Sequence, residues 1–382
     1  MRGSTVKRIE GKRRIRVGII GGSRDGWASA SHVPALASLP GFELTAVSTT
    51  NEESARRAAE AFGAKEWYGD AESLVSSDMV DLVVVAVRTP FHRDSVLKAV
   101  AAGKAVYCEW PLGLDLAEAE ELADAARSAG VHTAIGLQGR SAPAVQYLRD
   151  LIADGYVGEV LSSTIVGSGV QWGDVTLARN AYGLDHKTGT NMVTIPFAHA
   201  LDAVTHVLGE FTELSATTAI RIPQVRASDD DQTYEKTTPD QLLVAGTLES
   251  GAMLSAHYRG GLSRGTIFSW EINGTEGDLR LMGDHQLQVS NLRLFGARGE
   301  DKELAELEVP SRYQQADTSL PTRAANVAEA YLRVEADLRS GSRTAPSFDD
   351  AVIRHRMLDA VFVAAESGQK QALTQERLES LV

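Results

Sequence analysis

From Arg16 the chain alternates short, almost wholly apolar runs with longer amphipathic ones. Arg16–Ile20 is a short buried β run, Phe42–Ser48 a second, and Val80–Val87 the strongest strand of all. Ala105–Cys108 and His132–Gly136 continue the series. Between them, Ser31–Leu39, Glu53–Phe62, Arg93–Ala102 and Leu116–Ala129 carry helical spacing, with Asp115 as an N-cap. Strands without polar alternation, separated by helices, predict a parallel sheet covered on both faces. Beyond Ser141 the pattern changes. After a helix over Ala142–Ile152 come alternating runs at Val160–Gly167, Phe211–Ile222, Leu242–Leu248, Ala252–Tyr258, Thr266–Ile272, Leu279–Met282 and Leu287–Leu294. Glycine turns join several of them, which predicts a large, mostly antiparallel sheet. The expectation is an α/β protein: a disordered basic arm over 1–14, a dinucleotide-binding domain over 15–138, and a substrate and oligomerisation domain over 139–382.

The turn after the first strand is Gly21-Gly22-Ser23-Arg24-Asp25-Gly26. A strand, a glycine-rich turn and a helix in that order read as a dinucleotide fingerprint, with Ser23 in place of the middle glycine. Gly21 would make the tight turn, Gly26 would allow close packing, and the helix N-terminus would face a pyrophosphate. The other possibility is a glycine-rich turn without a ligand. The second strand ends in Ser48-Thr49-Thr50-Asn51, with no acid to hold a ribose 2′-hydroxyl. Hydroxyls with Arg24 nearby favour NADP(H) over NAD(H), unless these residues only cap the next helix.

Composition narrows the class. The net charge is −13, and the first sixteen residues hold seven Arg or Lys against one Glu, so the remainder is more acidic still. Direct nucleic-acid binding driven by phosphate contacts is therefore not expected. The single cysteine, Cys108, makes neither an internal disulfide nor a thiolate metal cluster. No metal site is expected; Ser228-Asp229-Asp230-Asp231 lacks a flanking ligand pattern and reads as an exposed acidic loop. No apolar run has the length of a membrane span, and no signal-peptide core follows the arm, so a cytoplasmic protein is expected.

Downstream motifs add a resemblance. Thr89-Pro90-Phe91-His92, then Ala102-Gly103-Lys104 leading to Glu109-Trp110-Pro111-Leu112, the His199-Ala200-Leu201-Asp202 helix and the turn Gly274-Thr275-Glu276-Gly277 resemble the Gfo/Idh/MocA (glucose–fructose oxidoreductase/inositol dehydrogenase) family. Gly26-Trp27-Ala28 with His32, Leu137-Gln138-Gly139-Arg140, Asp240-Gln241-Leu242-Leu243 and Ser290-Asn291-Leu292 are similar to the branch of fungal galactose-pathway transcriptional repressors. The resemblance implies cofactor contacts from Gly21, Gly22, Ser23, Arg24, Gly26, Trp27, Ser48, Thr49, Thr50, Thr89, Pro90, His92, Glu109, Trp110 and Gln138. It also implies a small-molecule substrate. A large open sheet needs a cover, so a homo-oligomer through the C-terminal sheet is expected.

The departures bear on activity. The family's lysine position is Trp110 and its aspartate position, four residues before His199, is Ile195. Indole N–H donates but does not titrate. Acid–base help is worth about 10²–10⁴-fold, so the family's usual proton relay is impaired. Tyr182, Asp185, His186 and Lys187, in the loop before the His199 helix, include the proton-transfer types a reductase needs; a solvated polar loop is the plain alternative. Three functions therefore stand: an NAD(P)-dependent oxidoreductase on a small polar or sugar-like carbonyl, hydroxyl or imine substrate, a catalytically silent NAD(P)-binding regulator of a partner protein, and a non-redox enzyme using the cleft and cofactor for a different reaction. Trp110 and Trp172 line a sugar-like pocket or simply pack.

Overall fold

The computed structural model describes residues 9, 11 and 13–373. They divide into two compact units, one of residues 1–138 with 314–352 and one of 139–313 with 353–382. The contiguous second domain expected over 139–382 is thus interrupted by a segment that belongs with the first.

The first unit is a six-stranded sheet of β1 (Ile15–Ile20), β2 (Phe42–Ser48), β3 (Glu66–Tyr68), β4 (Leu82–Val85), β5 (Ala105–Cys108) and β6 (Thr133–Ile135). The order is β3-β2-β1-β4-β5-β6 and every pair is parallel. Leu82 to Val85 are all buried, so this central strand carries no polar alternation. It is shorter than the Val80–Val87 run suggests, because Ala86 and Val87 already belong to the loop. The strand order reverses between β1 and β4, and the crevice at such a switch point is where doubly wound sheets take ligands.

The returning segment is built around the helix Thr322–Ser340. Val327, Tyr331, Val334 and Leu338 recur at helical spacing and join Ile15, Val17, Ile19 and Phe42 in one hydrophobic core. The Tyr331 ring lies 5.3 Å from Phe42 and 5.2 Å from Tyr107. The same helix orders the described part of the basic arm. Ile9 is buried and its N–H donates to the Leu338 carbonyl at 3.0 Å, while Arg339 donates to the Gly11 and Arg13 carbonyls. Disorder is therefore not the state of residues 9, 11, 13 and 14; the rest of the expected arm lies outside the described residues.

The second unit holds β7 (Val160–Gly169), β8 (Val175–Thr176), β9 (Phe211–Ala219), β10 (Gln224–Ala227), β11 (Thr233–Glu235), β12 (Gln241–Leu248), β13 (Met253–Gly260), β14 (Phe268–Gly274), β15 (Gly277–Gly283), β16 (Leu292–Arg298), β17 (Ala305–Leu307) and β18 (Gln371–Ala372). Nine of these form a sheet in the order β17-β16-β15-β14-β7-β13-β12-β9-β18. All its pairings are antiparallel except β7 with β13. Period-two alternation sorts the faces. Ile165, Leu242, Val244, Ala256, Tyr258, Trp270 and Leu281 are buried on one side. The opposite side presents Thr164, Ser215, Thr217, Leu243, Ser255 and Glu271, all exposed. The apolar run at 287–294 is not one strand: Leu287–Val289 is a 3-10 turn and only Leu292 onward pairs in β16.

Candidate nucleotide and substrate sites

In the first unit the turn after β1 is built as its glycines predict. Gly21 sits at φ +91°, and a Cβ there would lie 2.7 Å from the Ala86 carbonyl oxygen. Gly21 and Gly22 both donate N–H to the Ser48 carbonyl, at 3.1 and 3.0 Å, which ties the turn to the end of β2. Gly26 differs from expectation: a Cβ there meets Ser23 at an ordinary 3.5 Å, so close packing does not require glycine. The N–H of Ser23 goes to Gly21 and that of Gly26 to Ser23. The remaining amides of the turn are those of Arg24, Asp25 and Trp27. The helix that follows is only Trp27–Ala30, separated at Ser31 from His32–Ser38, so a long dipole does not stand behind the turn. Ser23 and Arg24 are exposed, and Trp27 is half-buried with its indole Nε1 enclosed and without a hydrogen-bond partner among the described residues.

At the end of β2, Ser48 is buried and Thr50 exposed. The Thr49 hydroxyl donates to the Asn51 carbonyl at 2.9 Å and meets Ser54 Oγ, while Asn51 Oδ1 caps the next helix by accepting from Ser54 N–H at 2.9 Å. Asn51 is the cap, and Thr49 is tied to that helix start through its own hydroxyl.

The loop after β4 carries Thr89, buried, and Pro90, exposed. His92 is buried, with Nδ1 2.7 Å from the Pro111 carbonyl and Nε2 3.0 Å from that of Val87. Burial pushes its pKa down against the pull of those carbonyls and of Glu109. His92 is thus a neutral tie that holds the Trp110–Pro111 segment, whose peptide bond is cis, to the end of β4. Glu109 Oε1 lies 2.9 Å from His32 Nε2, and His32 Nδ1 lies 2.6 Å from the Tyr331 hydroxyl. His32 and Tyr331 are both fully enclosed, and the Glu109 carboxylate fills the space a Cβ on Gly136 would need. Trp110 is buried, as is Cys108, whose thiol is pushed up well above its usual pKa by burial and is inert. The Gln138 side chain is buried with Oε1 lacking a partner among the described residues.

These residues fit a dinucleotide. A turn that admits only glycine at Gly21, and orphaned polar atoms on Trp27 and Gln138, are what a bound cofactor with phosphates, hydroxyls and a carboxamide would complete.

In the second unit, His199 is buried in the helix Ala198–Leu208. Ile195 lies just before it in a π turn, Val193–Phe197, where Asn191 Oδ1 accepts the N–H groups of Val193 and Thr194. Asp202, the other half of the helix motif, is buried and structural. Arg140 donates to it through Nε at 2.8 Å and through Nη2, and Arg354 lies behind with Glu210.

The loop expected to supply protons is largely solvated. Tyr182 is half-buried in the 3-10 segment Ala178–Leu184; Asp185, His186 and Lys187 are exposed. Asp185 Oδ1 accepts the Lys187 N–H at 3.0 Å, and His186 Nδ1 lies 3.1 Å from Thr237 Oγ1. Asp229 and Asp230 likewise serve the backbone, accepting from the N–H groups of Ala178 and Gln232, and among the described residues no group of acidic or histidine ligands forms a metal site.

One feature escapes sequence reasoning. Lys236 and Asp240 form a fully buried ion pair at 2.9 Å. Lys236 Nζ also donates to the Trp172 and Gly173 carbonyls, and Asp240 accepts the N–H groups of Arg221 and Ile222. Every Lys236 donor is used, which is how a buried ammonium is tolerated. Trp172, held this way, donates Nε1–H to the Gly183 carbonyl at 3.1 Å and so anchors the start of the 182–189 loop. The Lys236–Asp240 spacing of four is the signal in the sequence that could have flagged the pair.

Comparison with known proteins agrees with this architecture. A profile of the oxidoreductase family with an NAD-binding Rossmann fold matches residues 15–137, and one of the Gal80p C-terminal domain matches residues 143–283. The chain is 31% identical to a dehydrogenase (aclE) of Aspergillus oryzae over 94% of this chain and 98% of that protein. It is 28% identical to a D-apiose dehydrogenase of Paraburkholderia graminis, over 96% of this chain and 90% of the relative. Among solved structures, a super-repressor mutant of Gal80p from Saccharomyces cerevisiae superposes with a TM-score of 0.85 at 26% identity, covering 95% of this chain and 98% of that one. The chain belongs to the Gfo/Idh/MocA oxidoreductase family, with a second domain of the Gal80p C-terminal kind.

Proposed function

We propose that the protein is an NAD(P)-dependent oxidoreductase acting on a small polar or sugar-like substrate through an acid–base set unlike the family's usual one. The observation that carries this is the Gly21 turn, whose left-handed φ and contact with Ala86 leave room for no side chain. Full-length similarity to a dehydrogenase supports it. The dinucleotide would accept or supply the hydride. The turn Gly21–Trp27 and the residues after β2 would hold it. Arg24, exposed in that turn, and the lack of an acid at Ser48–Asn51 favour NADP(H) over NAD(H), with Thr50 rather than Thr49 as the available hydroxyl. His199, buried near the start of the helix Ala198–Leu208, is the group of the second domain assigned here to hold a substrate oxygen or its proton. Tyr182, Asp185, His186 and Lys187 are the alternative proton carriers, at lower rank for the three exposed ones. The single buried thiol suits a cytoplasmic protein, and the exposed sheet face with Leu243 and Met253 suits a homo-oligomer.

The second reading is a catalytically silent NAD(P)-binding regulator that engages a partner protein. Trp110 favours it: a buried indole stands where a titrating lysine is expected. Tryptophan fluorescence during NADPH and NADH titration, followed by NADPH oxidation with a panel of carbonyl and imine compounds, separates the two. Turnover that His199→Ala reduces by about 10²-fold or more supports the enzyme. Tight NADPH binding with no turnover across the panel supports the regulator.

A further inference from the structure

A carboxylate stands where the first sheet would meet one half of a dinucleotide. A pyrophosphate at the turn after β1 would place the adenosine half toward the end of β2, where its ribose is read. The nicotinamide half would then lie toward the ends of β4, β5 and β6, on the other side of the switch point. Glu109 follows β5 and Gly136 follows β6. A Cβ on Gly136 would lie 2.8 Å from Glu109 Oε1 and 3.0 Å from Oε2, so the glycine leaves the carboxylate its place between the two strand ends. The Glu109 side chain stays 12% exposed at this edge, while His32 behind it is fully enclosed. Its neighbour Trp110 is buried and carries no charge.

His32 does not offset this charge. The Tyr331 hydroxyl is enclosed, and among the described residues its one hydrogen-bond partner is His32 Nδ1, at 2.6 Å. A buried hydroxyl needs an acceptor, so Tyr331 donates to Nδ1. The imidazole proton is then on Nε2, 2.9 Å from Glu109 Oε1. An imidazolium would carry a proton on Nδ1 as well and strand the Tyr331 O–H. His32 is therefore a neutral donor to a carboxylate, with the Tyr107 ring set at 85° to it and 5.5 Å away. Burial first, and then the Glu109 charge, push up the pKa values of the Tyr107 and Tyr331 hydroxyls and of the Cys108 thiol. A negative charge that neither neighbour compensates, in a partly enclosed place, favours a cationic ligand group. The oxidised nicotinamide ring is a cation and the reduced ring is neutral; the rest of the dinucleotide is the same.

We propose that Glu109, held by His32 and Tyr331, makes this site favour the oxidised, cationic dinucleotide over the reduced one, so that its occupancy follows the redox state of the cofactor pool. The proposal rests on the proposed dinucleotide binding and needs no turnover. Calorimetric titration of the full chain with NADP⁺, NADPH, NAD⁺ and NADH tests it in the wild type, Glu109→Gln and Trp110→Lys. The glutamine keeps an acceptor for His32 and loses the charge; the lysine brings a cation beside the carboxylate. The wild type is expected to bind the oxidised form more tightly. The ratio of the reduced to the oxidised dissociation constant should fall about tenfold in Glu109→Gln, which is about 1.4 kcal/mol, and fall also in Trp110→Lys. Affinity for ADP-ribose and its 2′-phosphate, which lack the nicotinamide, should be unchanged, which reports that the variants fold. Should the glutamine variant not fold, Trp110→Lys and the wild-type preference carry the test. Tighter binding of the reduced form by the wild type, or a ratio that is unchanged or rises in the folded variants, overturns the proposal and leaves dinucleotide binding standing. No binding of any of the four dinucleotides removes both.

Discussion

Gly21 is the residue on which the proposed cofactor binding turns. At φ +91°, with the Ala86 carbonyl oxygen 2.7 Å from where a Cβ would go, alanine meets both backbone strain and a clash with main chain. Gly21→Ala is expected to destabilise the protein by about 1–3 kcal/mol and to weaken NADPH binding at least tenfold, read by urea denaturation and fluorescence titration. Gly26→Ala, where the contact is an ordinary 3.5 Å, should cost less than about 1 kcal/mol in the same assays. Both glycines look alike in the fingerprint. Only the neighbouring loop after β4 separates them, because it approaches one and not the other.

Among elements, the start of β1 is fastened to the start of β4 by a single carboxylate. Asp81 accepts from the Arg16 N–H at 3.0 Å and from the guanidinium groups of Arg16 and Arg13. Burial opposes its charge, but the two arginines and the Arg16 N–H prevail and hold the Asp81 pKa well below the usual carboxylate range. A depressed carboxylate stabilises the fold fully above its unfolded pKa of about 3.9 and loses that contribution as pH falls through the folded value. Asp81→Asn should therefore cost about 1–3 kcal/mol, constant from pH 8 down to about pH 5, with the gap to wild type closing only in strongly acid solution. Urea midpoints across that pH series check it; a gap that shrinks near neutrality would contradict the assignment. The 3-10 turn at Leu287–Val289 departs from the sequence pattern: Leu287 and Val289 alternate like a strand, yet Leu287 is buried among tertiary neighbours that no local period reveals.

At the scale of the whole molecule, the first unit is discontinuous. Its core needs Val327, Tyr331, Val334 and Leu338 from a helix almost two hundred residues beyond β6. A fragment of residues 13–138 should accordingly remain unfolded or molten by near-ultraviolet circular dichroism and fail to bind NADPH, whereas the same fragment joined through a short flexible linker to 314–352 should fold cooperatively. Independent folding of the shorter piece would show that the returning helix is dispensable. Local pattern was enough to specify the β-turn-helix start, the apolar strands of a parallel sheet and the alternating strands of a second one, because chain stiffness, glycine φ and burial period act over a few residues. Tertiary packing alone decided that Glu109 is held by His32, itself backed by Tyr331, that Thr49 and Asp202 serve structure, and that Lys236 and Asp240 pair in the interior. Those outcomes depend on distances between residues far apart in the chain, and the free energy of a buried hydrogen bond or ion pair is set by the partners that folding brings within about 3 Å.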